Sequence, residues 1–337
     1  MGGPRLEAEG LDRIVRSESL SVVGISKVFE KLPALLRALR LLGASLDHRR
    51  PDAAVLIDFP DFHGILARRL SRRRVPLLYY VSPQVWAWRP GRARWIARAA
   101  RRIITLFPFE TEIYRRLGAD VVWAGHPIVD DVREGLEAGA PLPEKTRPRL
   151  VLMPGSRTAE VRRHWETLAR AAERLSARRG MEVVAIRAEG IPEDLFAGAR
   201  ERQIRLVTSG AHRLLASADL TLVASGTATL EAALCGSPMI VVYRTSRVSY
   251  LLGKALIRVP WISLVNIVGR EEIVPELLQD DFHPDRLEGE AESLLSSPER
   301  LRRMREGLAR VALELGPPGG SERAAEAVLD ALQGPRA

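Results

Sequence analysis

The chain has 337 residues, of which 46% are hydrophobic and 28% are charged, and its formal net charge is +9. This length accommodates two domains, and this composition is typical of a globular protein and excludes a disordered chain. No apolar run is long enough for a transmembrane helix, the chain starts without a signal-peptide pattern, and a single Cys235 excludes an internal disulfide. We therefore expect a cytoplasmic protein whose basic charge favours phosphorylated substrates or an anionic membrane surface over nucleic acid.

Short apolar runs rich in β-branched residues alternate with longer helical patterns. Nearly continuous apolar strands separated by helices predict parallel sheets that are covered on both faces. The predicted strands are 53–57, 76–81, 103–107, 121–124, 150–153, 182–186, 204–207, 220–224 and 239–243. Residues 134–148, rich in Gly, Pro and charge, form the natural linker between two α/β halves.

The end of the chain predicts a separate amphipathic helix. It follows the breaker at 316–320, and Ala324, Val328 and Leu332 form a stripe at helical spacing. A helix set off in this way often crosses to another domain or subunit.

Two turns of small residues each follow an apolar strand in the second half. Such turns direct free backbone N–H groups and the positive end of a helix dipole at one spot, which suits a diphosphate. The residues that we expect to bind it are Ser156, Arg157, Ser225, Gly226 and Thr227. Glu231, one helical turn past the second turn, is expected to accept hydrogen bonds from ribose hydroxyls. The alternative is two ordinary strand–helix turns and a solvated glutamate.

One carboxylate in the first half is a candidate catalytic base. Asp58 comes directly after the strand 53–57, and strand ends facing the crevice are where ligands bind in α/β folds. Asp61 is interpreted as an N-cap of the next helix. The six histidines are scattered without ligand spacing, and no Asp-x-Asp pair occurs, so we expect neither a metal nor a cofactor.

Aromatic and basic residues mark two candidate lipid or membrane contacts. Trp86 and Trp88 predict either packing at a domain interface or an apolar wall for a lipid or sugar. The helix after them carries Arg94, Arg98 and Arg101, which suit an anionic membrane surface or form a solvated face. A second apolar segment, 248–259, is either a core helix or a surface that touches lipid. Its candidate contacts are Tyr250, Leu251 and Leu252.

Together these motifs resemble the lipid-A-disaccharide synthase family nearly end to end. The resemblance rests on residues 2–5, 57–62, 80–88, 107–110, 125–127, 154–160, 224–231 and 266–279. It implies a GT-B fold, an α/β architecture with two Rossmann-like domains facing a cleft. Family members have about 40 residues before the Gly-Gly-Pro-Arg turn, so we expect the N-terminal domain to lack its first strand and helix.

The linker and the resemblance together predict the domain boundaries. They are an acceptor-side domain at 1–140, a UDP-sugar-binding domain at 146–312, and a helix at 321–333 that crosses to the N-terminal domain.

The implied reaction joins UDP-2,3-diacylglucosamine to 2,3-diacylglucosamine 1-phosphate (lipid X), with inversion and release of UDP. In this interpretation Asp58 is the base, Asn266 and Glu272 lie near the nucleotide, and the choice between Glu271 and Glu272 stays open. A peripheral enzyme on the inner face of the inner membrane is expected, and a homodimer is left open. The alternatives are another UDP-sugar GT-B enzyme, a UDP-N-acetylglucosamine 2-epimerase, or an inactive UDP-binding fragment.

Overall fold

The structure of the protein is a computed structural model that describes residues 1–16, 25–138, 145–256 and 259–333, without the side chains of 4, 5, 25–31, 252 and 255. The chain forms two compact units. The first comprises Met1–Ala124, Arg247–Arg258 and Glu322–Ala337, and the second comprises Gly125–Ser246 and Val259–Ser321.

The first unit is built on a parallel sheet whose described strands have the order β1-β2-β3-β4. These strands are β1 (Ala54–Ile57), β2 (Leu77–Tyr80), β3 (Arg102–Thr105) and β4 (Val121–Trp123). The accompanying helices are α1 (Pro4–Ala8), α2 (Ile25–Arg49), α3 (Pro60–Arg72), α4 (Gly91–Ala99) and α5 (Pro108–Arg115). Tyr79 and Ile103 are fully buried, whereas Val55 and Ile57 on the edge strand β1 are exposed.

The second unit contains a parallel sheet with the described order β10-β9-β8-β5-β6-β7. Its strands are β5 (Arg149–Met153), β6 (Glu182–Ile186), β7 (Ile204–Val207), β8 (Leu220–Ala224), β9 (Met239–Tyr243) and β10 (Glu276–Leu278). Its helices are α6 (Ile128–Glu137), α7 (Thr158–Arg179), α8 (Ala211–Ser217), α9 (Ala228–Leu234), α11 (Leu264–Gly269), α12 (Pro284–Leu295) and α13 (Pro298–Glu314). Helix α10 (Arg247–Leu256) belongs to the first unit.

The order of strands in the second sheet reverses beside β5. From β5 the chain moves outward through β6 and β7 on one side, then returns to β8 and moves outward through β9 and β10. Ligands of open α/β sheets bind outside the carboxyl ends of the strands at such a switch point. The loops after β5 and β8 therefore occupy the position where this architecture places a ligand.

Helix α6 lies in a different unit from the one that the sequence predicted. The boundary at residue 140 assigned it to the first domain, but α6 packs against α8 and α9 of the second unit. The division between the units falls at residue 124, directly after β4. The linker was placed at the Gly- and Pro-rich stretch because of its composition. Composition does not show which sheet the preceding helix packs on, so α6 was assigned to the wrong unit.

The last helix, α14 (Gly320–Gln333), packs mainly in the first unit. Its buried face includes Ala324, Ala327 and Ala331, and Val328 of the predicted stripe is half-buried beside them, whereas Leu332 of that stripe is exposed. Ala324 and Ala327 contact Ile104 and Ala124. Alanines form the buried face because small side chains allow the helix to approach β3 and β4 closely.

Two hydrogen bonds add to this contact between α14 and the sheet of the first unit. Arg102 Nη1 donates to the Ala327 carbonyl at 3.1 Å, and Arg323 Nε donates to the Ala124 carbonyl at 2.9 Å. Both join α14 to the sheet.

A buried glutamate fixes the start of α5. Glu110 is 2% exposed, and its carboxylate accepts hydrogen bonds from the backbone N–H groups of Leu106 and Phe107 at 3.3 and 3.4 Å. This is the backward-reaching half of a capping box. Its other oxygen accepts from Trp86 Nε1 at 3.1 Å, which holds the segment after β2. Burial raises the pKa of Glu110 to about 7, although these three donors oppose the shift.

The α14 contact predicts a position-specific loss of stability. Ala327→Glu forces a carboxylate into a buried apolar contact, so the free energy of unfolding should fall by about 2–4 kcal/mol. Urea denaturation measures the change, and Ala325→Glu at an exposed position of the same helix is the control. Equal stability of the two variants would contradict the described packing.

The raised pKa of Glu110 predicts a pH-dependent stability. The folded chain holds this proton more tightly than the unfolded chain, so the free energy of unfolding contributed by Glu110 falls as pH rises from 4.5 to about 7. Relative to Glu110→Gln, the unmutated chain should lose up to about 1.4 kcal/mol per pH unit in that window.

Denaturant unfolding at several pH values, followed by tryptophan fluorescence, tests this. Glu112→Gln is the control on the same helix, because an ion pair with Arg116 lowers the pKa of Glu112 out of the window. Parallel pH profiles for Glu110→Gln and the unmutated chain would show that Glu110 titrates normally.

Candidate functional site

The turn after β5 presents Ser156 and Arg157 to solvent at the start of α7. Gly155 has φ of +128°, a conformation that favours glycine, and a Cβ there would lie 2.7 Å from Glu160 Oε2. The N–H group of Glu160 donates to the Arg157 carbonyl at 2.9 Å, so the N–H groups of the two residues before it, Thr158 and Ala159, are the ones left without a helical acceptor at this turn. Arg157 Nη1 donates to Glu160 Oε1 at 2.6 Å, so the buried glutamate orients a guanidinium that is still 58% exposed.

The turn after β8 lies beside the first turn. Strands β5 and β8 are paired with Met153 opposite Val223, so their carboxyl ends meet at one edge. Gly226 and Thr227 are exposed, and α9 begins directly after them. Ser225 was predicted to bind the diphosphate, but its hydroxyl instead donates to the Ile262 carbonyl at 2.9 Å.

A buried histidine ties the β5 turn to the segment after β9. His164 Nδ1 donates to the Pro154 carbonyl at 2.8 Å, and Nε2 accepts from the Arg244 backbone N–H at 3.0 Å. Burial lowers the pKa of His164, which favours the neutral ring that these two bonds require. The sequence offered no signal for this role, because His164 is one of several histidines in helical patterns.

Glu231, the predicted ribose ligand, lies in the first turn of α9 and is partly exposed. Its Oε2 lies 3.3 Å from His212 Nε2 on α8. The sequence carries no local signal for this contact of His212, because it joins side chains on two successive helices, 19 residues apart, that only the fold brings together.

Asn266 does not offer a free group to a nucleotide. It is fully buried, its Nδ2 donates to the Val274 carbonyl and Glu276 Oε1, and its Oδ1 accepts from the backbone N–H groups of Ile273 and Val274. Two donors and two lone pairs are therefore all used. Asn266 instead holds the loop before β10 against the start of α11.

Glu272 and Glu271 lie at the opposite edge of the sheet from the two turns. Both precede β10, whereas the turns follow β5 and β8, and all these strands are parallel. Glu272 is exposed and lines a cavity of about 680 Å³ beside α12 and α13, and Glu271 pairs with Arg310 at 2.5 Å. The predicted nucleotide role of Glu272 is therefore not supported by its position.

Asp58 lies exposed at the carboxyl end of β1 in a strained backbone. Asp58 and Phe59 have φ of 50° and 46°, and Val81 after β2 has φ of 60°. The Asp58 carbonyl accepts from His63 Nδ1 at 2.6 Å and from the Tyr79 hydroxyl at 2.9 Å. Left-handed non-glycine residues persist where the surroundings impose them, and they cluster at functional sites.

Both candidate tryptophans are half-buried within the first unit. The Trp86 ring packs edge-on against Phe109 and its N–H is taken by Glu110. The Trp88 ring is covered by the guanidinium of Arg92 at 4.4 Å, and Arg89 lies 5.0 Å from its centroid. An open apolar wall is therefore not what these rings form.

Besides the Trp88 ring, Arg92 contacts Asp61, which follows β1 in the chain. It pairs with Asp61 at 2.5 Å, so Asp61 is an ion-pair partner that leaves Asp58 as the available carboxylate.

The basic and apolar surface candidates are only partly exposed. Arg94 and Arg98 are exposed on α4, whereas Arg101 lies past the helix end and is half-buried. On α10, Leu251 is 65% exposed and Tyr250 is half-buried, and the side chain of Leu252 lies outside the described residues. Among the helices that the structure describes, none is long and apolar enough to cross a membrane.

Comparison with solved structures identifies the fold. The calicheamicin glycosyltransferase has a TM-score of 0.60 at 16% identity over 93% of this chain and 82% of that one. MurG of Acinetobacter baumannii has a TM-score of 0.56 at 14% identity, covering 97% and 87%. A putative UDP-N-acetylglucosamine 2-epimerase of Listeria monocytogenes has a TM-score of 0.60 at 14% identity, covering 92% and 82%. These similarities show a GT-B fold with two Rossmann-like units.

Comparison of sequences identifies the family. A family model described as lipid-A-disaccharide synthetase matches residues 1–329. The lipid-A-disaccharide synthase of Myxococcus xanthus is 39% identical over 346 residues, covering 98% of this chain and 89% of that protein. The Geobacter sulfurreducens enzyme of the same name is 38% identical over 340 residues, covering 98% and 88%. The chain therefore belongs to the lipid-A-disaccharide synthase family of glycosyltransferases.

Proposed function

We propose that the chain transfers the diacylglucosamine of UDP-2,3-diacylglucosamine to lipid X, forming a β-1,6-linked disaccharide 1-phosphate and UDP with inversion. The observation that carries this proposal is the adjacency of the β5 and β8 turns at the switch point, with Arg157 oriented beside them. Family membership supplies the substrates, and the turns supply a place for the diphosphate.

The diphosphate is held by Ser156, Arg157, Gly226 and Thr227. Backbone N–H groups at the two turns are neutral donors, and Arg157 adds a fixed positive charge with a planar fork for phosphate oxygens. When the sugar–phosphate bond breaks, UDP takes the bonding electrons and its negative charge grows. Donors fixed before the reaction stabilise that charge without reorganising. Ser225 acts indirectly, since its hydroxyl anchors Ile262.

Asp58 takes the proton of the acceptor 6-hydroxyl. In the displacement a bond forms between the acceptor oxygen and the anomeric carbon while the bond to UDP breaks on the opposite face. The hydroxyl proton passes to the Asp58 carboxylate as the oxygen attacks. The bonds from His63 and Tyr79 to the Asp58 carbonyl fix the backbone and leave the carboxylate exposed for this role.

The first unit also offers a surface suited to an anionic membrane, where both lipid substrates reside. On α10, Val248, Leu251 and Leu256 are 68%, 65% and 48% exposed, and Arg247 and Lys254 of the same helix are exposed. Apolar side chains flanked by cations bind at lipid headgroups through burial and charge together. On this basis the enzyme is peripheral on a membrane surface, and the family resemblance implies the cytoplasmic face of the inner membrane.

Asp58→Asn should abolish turnover while leaving UDP binding intact. Losing a general base costs about 10²–10⁴-fold in kcat, because the hydroxyl must then attack without proton removal. Disaccharide formation from the two lipid substrates measures turnover, and calorimetry measures UDP binding.

Asp61→Asn is the matched control, since Asp61 pairs with Arg92. Turnover by Asp58→Asn at the unmutated rate would exclude the proposed base. Epimerisation of UDP-N-acetylglucosamine by the unmutated chain would point to the epimerase alternative.

Leu251→Asp should release the protein from anionic membranes. Removing an exposed leucine that would insert among the lipid headgroups and adding a negative charge is expected to weaken binding to phosphatidylglycerol-containing vesicles about tenfold or more. Vesicle sedimentation measures the bound fraction. Leu313→Asp is the control, because Leu313 is 79% exposed on α13 of the other unit. Equal sedimentation of Leu251→Asp and the unmutated chain would contradict the proposed surface.

A further inference from the structure

Three helices of the second unit meet at the Glu231 side chain. Glu231 is on α9, and its Oε2 lies 3.3 Å from Nε2 of His212 on α8. Helix α6 packs against both of these helices. The contact therefore places an imidazole from one helix against a carboxylate from another, at a point that the third helix covers.

Gly135 of α6 makes the room for this imidazole. A Cβ added at residue 135 would lie 2.0 Å from Nδ1 of His212 and 2.9 Å from its Cγ. Real Cβ atoms do not approach that closely, so any larger residue at 135 must move the His212 ring. Glycine in the middle of a helix costs about 1 kcal/mol relative to alanine, so its presence here opposes helix propensity.

We propose that His212 is a positioning residue for the ribose-binding carboxylate, and that Gly135 is required to seat it. The inference rests on the proposed role of Glu231 in UDP binding. Nε2–H of His212 donates to Glu231 Oε2, which fixes the side chain. Oε1 and the remaining lone pairs then accept the ribose hydroxyls without a further loss of side-chain entropy.

In this arrangement α6 contributes to the proposed nucleotide site through His212. Helix α6 determines where His212 lies, and His212 determines where Glu231 points. A structural role alone would affect all ligands of the second unit alike, whereas this role affects only ligands with ribose hydroxyls.

The experiment measures binding of UDP and of 2′,3′-dideoxy-UDP by calorimetry in the full chain. Gly135→Ala and His212→Ala should each weaken UDP about tenfold and leave 2′,3′-dideoxy-UDP unchanged. His212→Gln should retain UDP within about threefold, because the amide nitrogen of glutamine reaches the position of Nε2. The variant that combines Gly135→Ala with His212→Ala should bind UDP as tightly as His212→Ala alone, since Gly135→Ala acts only by displacing the His212 ring.

Gly289→Ala on α12 is the matched control, because a Cβ at residue 289 meets nothing within 4 Å. Thermal denaturation checks folding, and if Gly135→Ala does not fold, the comparison of His212→Ala with His212→Gln decides. Unchanged UDP affinity in the variants, multiplied losses in the double variant, or an equal loss for 2′,3′-dideoxy-UDP would overturn the proposal. A lack of UDP binding by the unmutated chain would overturn the proposed function itself, and this inference with it.

Discussion

Parallel strand pairing between β5 and β8 is the constraint on which the candidate site of the second unit depends. Because the two strands run in the same direction and pair Met153 with Val223, their carboxyl ends open at one edge. Each end is followed by a tight turn and a helix, so the two turns lie at the same edge of the sheet. An antiparallel pairing of the same sequences would put the turns at opposite edges. The candidate site is thus a consequence of sheet topology before any side chain contributes to it.

Buried hydrogen bonds then keep the two turns in place. His164 joins the Pro154 carbonyl to the Arg244 backbone, so the β5 turn cannot move independently of the segment after β9. On the other side, Ser225 holds Ile262, whose N–H donates to Glu276 Oε2 at 2.9 Å. Each of these polar groups is satisfied inside the protein and is costly to break. Donors that are fixed in this way suit a charge that develops only as UDP departs.

The sequence was sufficient to predict elements that depend on local pattern. The nine predicted strands match β1 to β9 within two residues at each end, because continuous apolar runs bounded by turn residues identify buried parallel strands. Strand β10 was missed, since three residues beginning with Glu276 leave no apolar run to detect. The two turns between β5 and α7 and between β8 and α9 were predicted because Gly and Ser directly after a strand are a local signal, and their binding of a diphosphate stays a prediction.

Properties that depend on tertiary contacts were not predictable in the same way. Asn266 looks like a free polar residue in the sequence, and only the folded loop before β10 consumes its four hydrogen-bonding sites. The family resemblance implied that Glu272 lies near the nucleotide, but Glu272 precedes β10 at the amino edge of the sheet. The tryptophans suggested an apolar wall, whereas Glu110 and Arg92 supply partners from other elements.

The left-handed backbone at Asp58 has a consequence for how this position evolves. A non-glycine residue in that conformation costs about 1–2 kcal/mol, and glycine would relieve the cost. Selection for stability alone would therefore drive residue 58 towards glycine and erase the carboxylate. In its proposed role as the base, an aspartate at this position sets activity against stability. Screens that reward thermal tolerance without assaying turnover would favour glycine there and would lose the proposed base.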